Sequence, residues 1–217
     1  MPRQPTLWNE PAASAGAVEA WARRMGYDAV LGVDEAGRGC LAGPVAAAAV
    51  ILPRRLDAAH GLTDSKLLSP RRREELLPYI RRIAIALGVG WSDASEVDRI
   101  GILPATLHAM RRAVEQALCD YRGPTGVVIV DGISAIPGIA WPQKTWIRGD
   151  RQSLACAAAS IVAKVERDAR MTALAAEYPG YGFEKHKGYG TREHLQALAR
   201  LGPCAIHRRS FAPLKPH

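Results

Sequence analysis

Two adjacent acids end an apolar stretch near residue 34, and a glycine-rich turn follows them at once. The residues from Ala29 to Val33 predict a buried strand that leads directly into Asp34 and Glu35. Two carboxylates at the end of a buried strand are costly unless a cation lies between them. In the glycine turn, Gly37-Arg38-Gly39, the glycines allow backbone N–H groups to approach a ligand closely. A metal ion and a phosphate would satisfy both features.

Further acids follow two later predicted strands. Asp131 comes after the apolar run 127–130, and Asp150 comes after a strand around 144–147. Ligand sites in α/β sheets gather at the carboxyl ends of parallel strands, so we expect these acids to converge with the first pair. Carboxylate oxygens suit Mg²⁺ or Mn²⁺ rather than zinc. Two such ions, about 3.5–4 Å apart, would activate a water and stabilise the leaving oxygen of a phosphodiester.

The adjacency of Asp34 and Glu35 sets a condition on the backbone. Successive residues of a regular strand point to opposite faces, so the two carboxylates share one metal site only where the strand breaks at Glu35. We therefore predict irregular backbone from Glu35 onward. The alternative is that acids at strand ends are simply solvated, and Asp131-Gly132 is also a common turn signal.

The rest of the pattern predicts one α/β domain. Its 217 residues suit a single full core. Residues from Ile83 to Trp91 alternate and predict a half-buried strand over 82–91, while apolar residues recur at steps of three and four from Leu103 to Leu118 and predict a helix. The predicted strands are 29–34, 45–52, 82–91, 127–130 and 144–147, and the predicted helices are 17–25, 69–79, 102–119, 153–176 and 191–201. This order favours a mixed sheet with helices on its faces, a lead-in at 1–27, a domain at 28–213 and a tail at 214–217.

Composition narrows the class of partner and the cellular location. A net charge of +8 and a pI of about 9.6 favour a polyanionic partner, nucleic acid above all, although many basic proteins are merely soluble. No apolar run reaches the length of a membrane span, and the N-terminus lacks the apolar core of a signal peptide, so we expect a cytoplasmic protein. Four widely spaced cysteines suggest neither a disulfide framework nor a zinc site.

Several motifs, in order along the chain, strongly resemble bacterial ribonuclease HII. The resemblance implies an RNase H-like fold, with a central mixed five-stranded sheet flanked by helices and a helical C-terminal region. It also implies endonucleolytic cleavage of RNA hybridised to DNA, and cleavage 5′ of a single ribonucleotide embedded in duplex DNA, in ribonucleotide removal, repair and replication. The matching motifs are DEAGRG at 34–39, LTDSKLLS at 62–69, VDG at 130–132, GD at 149–150, AAASIVAKVERD at 157–168, YGFEKHKGYGT at 181–191 and HRRSF at 207–211.

The resemblance also assigns roles to residues. The glycine turn would hold the ribonucleotide and read its 2′-hydroxyl, and Tyr189 would stack at the RNA–DNA junction. Cys40 stands where proline is usual and Arg148 where lysine is usual. The implied metal-binding acids, which would hold two Mn²⁺ or Mg²⁺ ions without any covalent nucleophile, are Asp34, Glu35, Asp131 and Asp150.

Basic residues near these motifs are candidate phosphate contacts. They are Lys66, Lys164, His186 and Lys187. The alternatives are a solvated loop around His186 and an Asp64 N-cap in place of a role for Lys66. We interpret Glu166, Arg167 and Asp168 as surface or supporting charges on a helix.

Other functional interpretations remain at this point. A dinucleotide site at Gly37-x-Gly39 is disfavoured because Pro44 stands where that motif needs a helix. A zinc site is disfavoured because its candidate ligands, His186, His194, Cys204 and His207, fit no common spacing. A binding protein of the same fold without catalysis, and a nuclease of another kind such as a junction resolvase, are the competing functions. We expect a monomer.

Overall fold

Five strands form one mixed sheet in the computed structural model, which describes residues 15–54, 62 and 68–214. The strand order is β3-β2-β1-β4-β5. The strands are β1 (Val30–Ala36), β2 (Val45–Ile51), β3 (Ala86–Ser92), β4 (Val127–Asp131) and β5 (Gln143–Trp146). The helices are α1 (Ala17–Arg24), α2 (Pro70–Ile83), α3 (Ala94–Ile100), α4 (Ile102–Cys119), α5 (Gly149–Gln152), α6 (Leu154–Glu177), α7 (Phe183–His186) and α8 (Arg192–Leu201).

The sheet combines an antiparallel half with a parallel half. β2 pairs antiparallel with both β1 and β3, whereas β4 pairs parallel with β1 and β5. The connection from β3 to β4 passes through α3 and α4, as a parallel arrangement requires. The mixed α/β fold predicted from the sequence is therefore confirmed.

Helices cover both faces of the sheet. α4 packs on one face over a core that includes Leu31 and Val33 of β1. α2 and α6 pack on the other face, over Ala48 and Val50 of β2. The C-terminal part forms a smaller core between α6, α7 and α8. No helix among the described residues combines the length and hydropathy needed to cross a membrane.

Part of the predicted lead-in packs on the sheet. Val18 and Ala22 of α1 are fully buried against β4 and β5. The ammonium of Lys144 lies 4.6 Å from the ring of Trp21 and 4.5 Å from the ring of Trp146. These contacts attach α1 to the edge strand, and the domain boundary proposed at residue 28 stays a prediction.

The third strand begins later than its alternating pattern predicts. α2 continues through Ile83, and β3 starts at Ala86. The fully buried residues of β3 include Gly88 and Gly90, whereas the alternating apolar residues Leu87, Val89 and Trp91 are only partly buried. A Cβ at Gly90 would lie 2.0 Å from the carbonyl oxygen of Ala109, so the missing side chain lets α4 approach the sheet.

The first strand is also longer than predicted. Irregular backbone was expected from Glu35, but β1 continues regularly through Ala36 because Glu35 pairs with Ala47 and Ala36 with Ala46 of β2. The chain leaves the strand only at Gly37, whose φ is +93°. The prediction of a break at Glu35 is therefore wrong, and the antiparallel neighbour is the physical reason.

Candidate active site

Three carboxylates meet at one edge of the sheet. One oxygen from each of Asp34, Asp131 and Asp150 lies within 4.8 Å of the other two. Asp34 and Asp150 are buried and Asp131 is partly buried. These three residues, the acid cluster, come from two strands and a helix that are far apart in sequence. The expected convergence of acids is present for these three.

The acid cluster forms where the parallel pairing of β1 with β4 ends. Parallel pairing of β1 with β4 stops at Val33 and Val130, so Asp34 and Asp131 are the next residue on each strand. β2 still holds β1 beyond that point. The two parallel strands therefore end their pairing side by side, with an acid on each.

Asp150 reaches the cluster by a different route. The sequence placed it at a strand end, but it lies in the short helix α5. Arg148 precedes α5 in the left-handed conformation, with φ +58°, and turns the chain away from β5. The N–H of Gly149 donates to Oδ1 of Asp131 at 2.8 Å, which ties α5 to the end of β4.

The electrostatics of the cluster favour a cation. Burial raises the pKa of Asp34 well above its usual range, and the neighbouring carboxylates of Glu35 and Asp131 raise it further. Hydrogen bonds from the Ser160 side chain and from the backbone N–H of Glu35 act in the opposite direction. Oxygen ligands from buried, mutually repelling carboxylates fit a hard divalent ion.

Glu35 takes a different position from the other predicted ligands. It is not one of the three acids whose oxygens come within 4.8 Å. Its Oε1 lies 3.2 Å from Nη1 of Arg38 in an ion pair. Glu35 still lines the same cleft as Asp34 and Asp131. The regular strand through Ala36 explains this difference, because neighbouring side chains of a strand diverge.

The glycine turn lies directly beside the acid cluster. Gly37, Arg38 and Gly39 line the cleft that also contains Asp34 and Asp131. A Cβ at Gly37 would lie 1.9 Å from Nε of Arg167, so only glycine fits there without displacing that guanidinium. The turn thus brings backbone close to the acids, as its composition predicts.

Tyr189 and Lys164 also line the cleft. Tyr189 is 41% exposed, so part of its side chain is accessible to a ligand. The Lys164 ammonium lies 5.4 Å from the centre of that ring and 2.9 Å from Oδ1 of Asp168. An aromatic face and a cation therefore stand beside the carboxylates.

The other candidate phosphate contacts have protein partners. Nε2 of His186 lies 2.8 Å from the Tyr181 carbonyl, and its Nδ1 accepts from the N–H of Gly188. Nζ of Lys187 donates at 2.6 Å to Oγ1 of Thr172. Their phosphate contacts stay predictions, and Lys66 lies outside the described residues.

Two of the histidines considered for a zinc site, His194 and His207, form a hydrogen-bonded chain with Cys204. The N–H of Cys204 donates to Nδ1 of His207, whose Nε2 lies 3.1 Å from Nε2 of His194. Nδ1 of His194 lies 2.9 Å from the Tyr189 carbonyl oxygen. One neutral tautomer of each ring satisfies this chain. The imidazoles therefore hold the backbone at Tyr189.

The sequence did not single out Ser160 or Arg73, and it gave Arg167 no role at the glycine turn. Ser160, Arg73 and Arg167 contact the acids, the cleft and the glycine turn, respectively. Arg167, interpreted above as a surface or supporting charge, is fully buried. A signal existed for Ser160, since it is a polar residue inside an alanine-rich helix that packs against β1.

Solved structures share this fold. The ribonuclease H2 of Pyrococcus horikoshii OT3 is 25% identical, with a TM-score of 0.67 over 86% of this chain and 95% of that chain. A structure of Bst-RNase HIII in complex with Mn²⁺ has a TM-score of 0.68 over 89% of this chain and 70% of that chain, and its 19% identity supports the fold alone. The molecule therefore has the architecture of a ribonuclease H.

Sequence comparison identifies the family within the ribonuclease H class. A family model described as ribonuclease HII matches residues 31–214. A ribonuclease HII from Geotalea uraniireducens is 52% identical over 199 residues, which are 92% of this chain and 89% of the relative. This chain belongs to the ribonuclease HII family and is thus an enzyme with ribonuclease H endonuclease activity.

Proposed function

We propose that this enzyme cuts 5′ of single ribonucleotides embedded in duplex DNA, as well as within longer RNA/DNA hybrids, and acts in ribonucleotide removal during DNA repair and replication. The observation that carries the proposal is the acid cluster beside the glycine turn, in a cleft that Tyr189 also lines. The cut would leave a 3′-hydroxyl and a 5′-phosphate.

The acid cluster is the proposed site of two divalent ions, Mn²⁺ or Mg²⁺. Asp34, Asp131 and Asp150 would hold them. Glu35 lines the same cleft but follows Asp34 on a regular strand, so it would complete the set only through a local change at the end of β1 that also breaks its pair with Arg38. Bound ions of this type lower the pKa of water and stabilise the charge of a leaving oxygen. The three converging oxygens support this assignment.

Recognition would be divided between the glycine turn and Tyr189. Backbone groups of the glycine turn would bond the 2′-hydroxyl, which distinguishes RNA from DNA. Tyr189 would stack on the sugar or base that follows the ribonucleotide. Lys164, together with Lys66, His186 and Lys187, would contact phosphates, and the basic surface predicts that affinity falls as salt rises.

A duplex with one ribonucleotide tests the function directly. We expect cleavage 5′ of the ribonucleotide with Mn²⁺ or Mg²⁺ and none with EDTA. An otherwise identical all-DNA duplex should stay intact, because it offers no 2′-hydroxyl to the glycine turn. Equal cutting of both duplexes would refute ribonucleotide recognition and favour a general or junction nuclease. Binding of the ribonucleotide duplex without any cleavage would favour a binding protein.

Tyr189→Ala tests the junction role. Stacking on an aromatic ring contributes about 1–3 kcal/mol per base, so cleavage at a single ribonucleotide should fall by about 5- to 150-fold. Cleavage inside a continuous hybrid should fall less. Tyr189→Phe is the matched control, since it keeps the ring and should keep the preference. An equal loss on both substrates for Tyr189→Ala would contradict the junction role.

A further inference from the structure

Two arginines are completely buried next to the glycine turn. Arg167 of α6 and Arg208 of the C-terminal segment both have 0% exposure. Within the described residues, neither guanidinium has a carboxylate at ion-pair distance, and each of their hydrogen bonds ends on a backbone carbonyl oxygen. A buried charge without an opposite charge is costly, so the contacts of this arginine pair call for an explanation.

The acceptors of Arg167 come from two separate segments. Its Nε donates to the Pro44 carbonyl at 2.9 Å, and its Nη2 donates to the Ala42 carbonyl at 3.2 Å. Its Nη1 donates to the Lys187 carbonyl at 2.9 Å. The first two acceptors follow the glycine turn, and the third lies two residues before Tyr189.

The same guanidinium also contacts the parts proposed to recognise substrate. It lies 5.8 Å from the centre of the Tyr189 ring. On its other side it occupies the space that a Cβ of Gly37 would need. Arg167 therefore lies between the glycine turn and Tyr189.

Direct contacts join the same two segments. The N–H of Leu41 donates to the Gly188 carbonyl at 2.9 Å, and a Cβ at Gly188 would lie 2.4 Å from the Ala42 carbonyl. Arg208 holds the glycine turn itself through the Arg38 carbonyl, and the segment that follows it through the Gly43 carbonyl. The segment that follows the glycine turn is thus fixed by arginines along its length.

We propose that Arg167 is a positioning residue that couples the glycine turn to Tyr189, and so sets the preference of the enzyme for a ribonucleotide that is followed by DNA. The proposal rests on the function proposed above, because it assumes that these two elements read the two sugars of the junction. The planar guanidinium of Arg167 carries several N–H donors and can bind carbonyl oxygens of both segments at once. A lysine ammonium has a different shape and cannot make the same set of hydrogen bonds.

Hydrogen exchange tests the coupling without reference to activity. Arg167→Lys keeps the charge and removes the fork. We expect faster amide exchange both in 38–44, which contains the Leu41 and Gly43 amides, and in 187–190. Arg170→Lys, an exposed arginine of the same helix, is the matched control and should leave both segments unchanged. Faster exchange in only one segment, or in neither, would overturn the coupling.

Gly37→Ala supplies a second test in case Arg167→Lys does not fold. Its added methyl would displace the same guanidinium from the side of the turn. We expect faster exchange at 187–190, although the substitution lies 150 positions away in sequence. An effect confined to residues around 37 would show that Arg167 does not transmit it.

Cleavage kinetics test the effect on preference. Arg167→Lys should lower the ratio of kcat/KM on a single ribonucleotide to kcat/KM on a continuous hybrid by about tenfold, while Mn²⁺ affinity stays within about twofold. With Tyr189→Ala in the background, Arg167→Lys should not lower the ratio further, because both changes act through one ring.

Equal losses on both substrates, or additive losses in the double variant, would refute the specificity role. Failure of the wild-type enzyme to cut at a single ribonucleotide would refute the proposed function instead, and the exchange results would still decide the coupling.

Discussion

The acid cluster and the arginine pair are two groups of largely buried charges that both adjoin the glycine turn, yet their surroundings differ completely. Asp34, Asp131 and Asp150 face one another, so their charges repel. Arg167 and Arg208 face backbone carbonyl oxygens that accept their protons. The first group gains from an added cation, whereas the second is already satisfied by the protein.

The acid cluster therefore serves function at a cost in stability, whereas the arginine pair contributes to stability. The Asp34 carboxylate costs stability in the metal-free protein, since burial and the neighbouring carboxylates of Glu35 and Asp131 disfavour its charged form. An arginine of the pair holds loops together, and its removal leaves buried or partly buried carbonyls without their donors. The following predictions test that distinction, from the largest expected effect to the smallest.

Asp34→Asn should have opposite effects on activity and stability. Cleavage should fall to background, because the proposed metal site loses one of its two buried ligands. The metal-free Tm should rise by about 2–4 °C, the equivalent of about 1 kcal/mol for a protein of this size, because a repelling carboxylate is gone. Calorimetry with EDTA measures this shift. Mn²⁺ should raise the Tm of the wild type only, through binding to the folded state. A lower metal-free Tm for Asp34→Asn would contradict the comparison.

Arg208→Met should reduce the free energy of unfolding by about 3 kcal/mol, since it leaves the buried carbonyl of Gly43 and the partly buried carbonyl of Arg38 without donors, and each such loss costs about 1–3 kcal/mol. Urea unfolding at neutral pH measures it. Arg209→Met, at the exposed neighbouring position, is the matched control and should change stability by less than about 0.5 kcal/mol. Unchanged stability in Arg208→Met would mean that relief from burying the charge offsets the lost hydrogen bonds.

The buried histidines predict a smaller, pH-dependent effect. Burial lowers the pKa of His207 to about 4, and burial also lowers the pKa of His194. The unfolded chain therefore binds more protons than the folded one between about pH 6.5 and 4, so stability falls as pH falls through this window. For His207 the loss is at most about 3 kcal/mol. Urea unfolding at pH 7, 6 and 5 measures it. His207→Asn should be less stable at pH 7 and show a flatter pH dependence, and an unchanged slope would contradict the assignment.

The sequence predicted the elements of the fold better than their buried faces. The helix predicted over 102–119 is α4, and all five strands are present. However, Leu103, which supported that helix, is 42% exposed, while Ala105 and Ala109 are fully buried. The close approach of α4 to Gly88 and Gly90 of β3 explains this, because only small residues fit between helix and sheet. Hydrophobicity alone does not reveal such a contact.

Only part of the candidate active site could be predicted from the sequence. The positions of Asp34 and Asp131 followed from strand ends, since a local pattern marks where an apolar run stops. The placement of Asp150 on a helix did not, because the left-handed Arg148 reverses the chain there. The role of Arg167 depends on acceptors more than 100 positions away in sequence at Ala42 and Pro44, which no local pattern contains.

Helix α6 carries Ser160 at the acid cluster and Arg167 at the glycine turn, seven positions apart. Seven residues are about two helical turns, or about 10 Å, so both side chains leave the same face of the helix. A single inserted residue between them would rotate Arg167 by about 100° away from its carbonyls and leave Ser160 in place. The same insertion near Glu177, at the end of α6, would spare both contacts. Insertions and deletions in this helix therefore separate metal binding from substrate recognition, although no residue of either site is replaced.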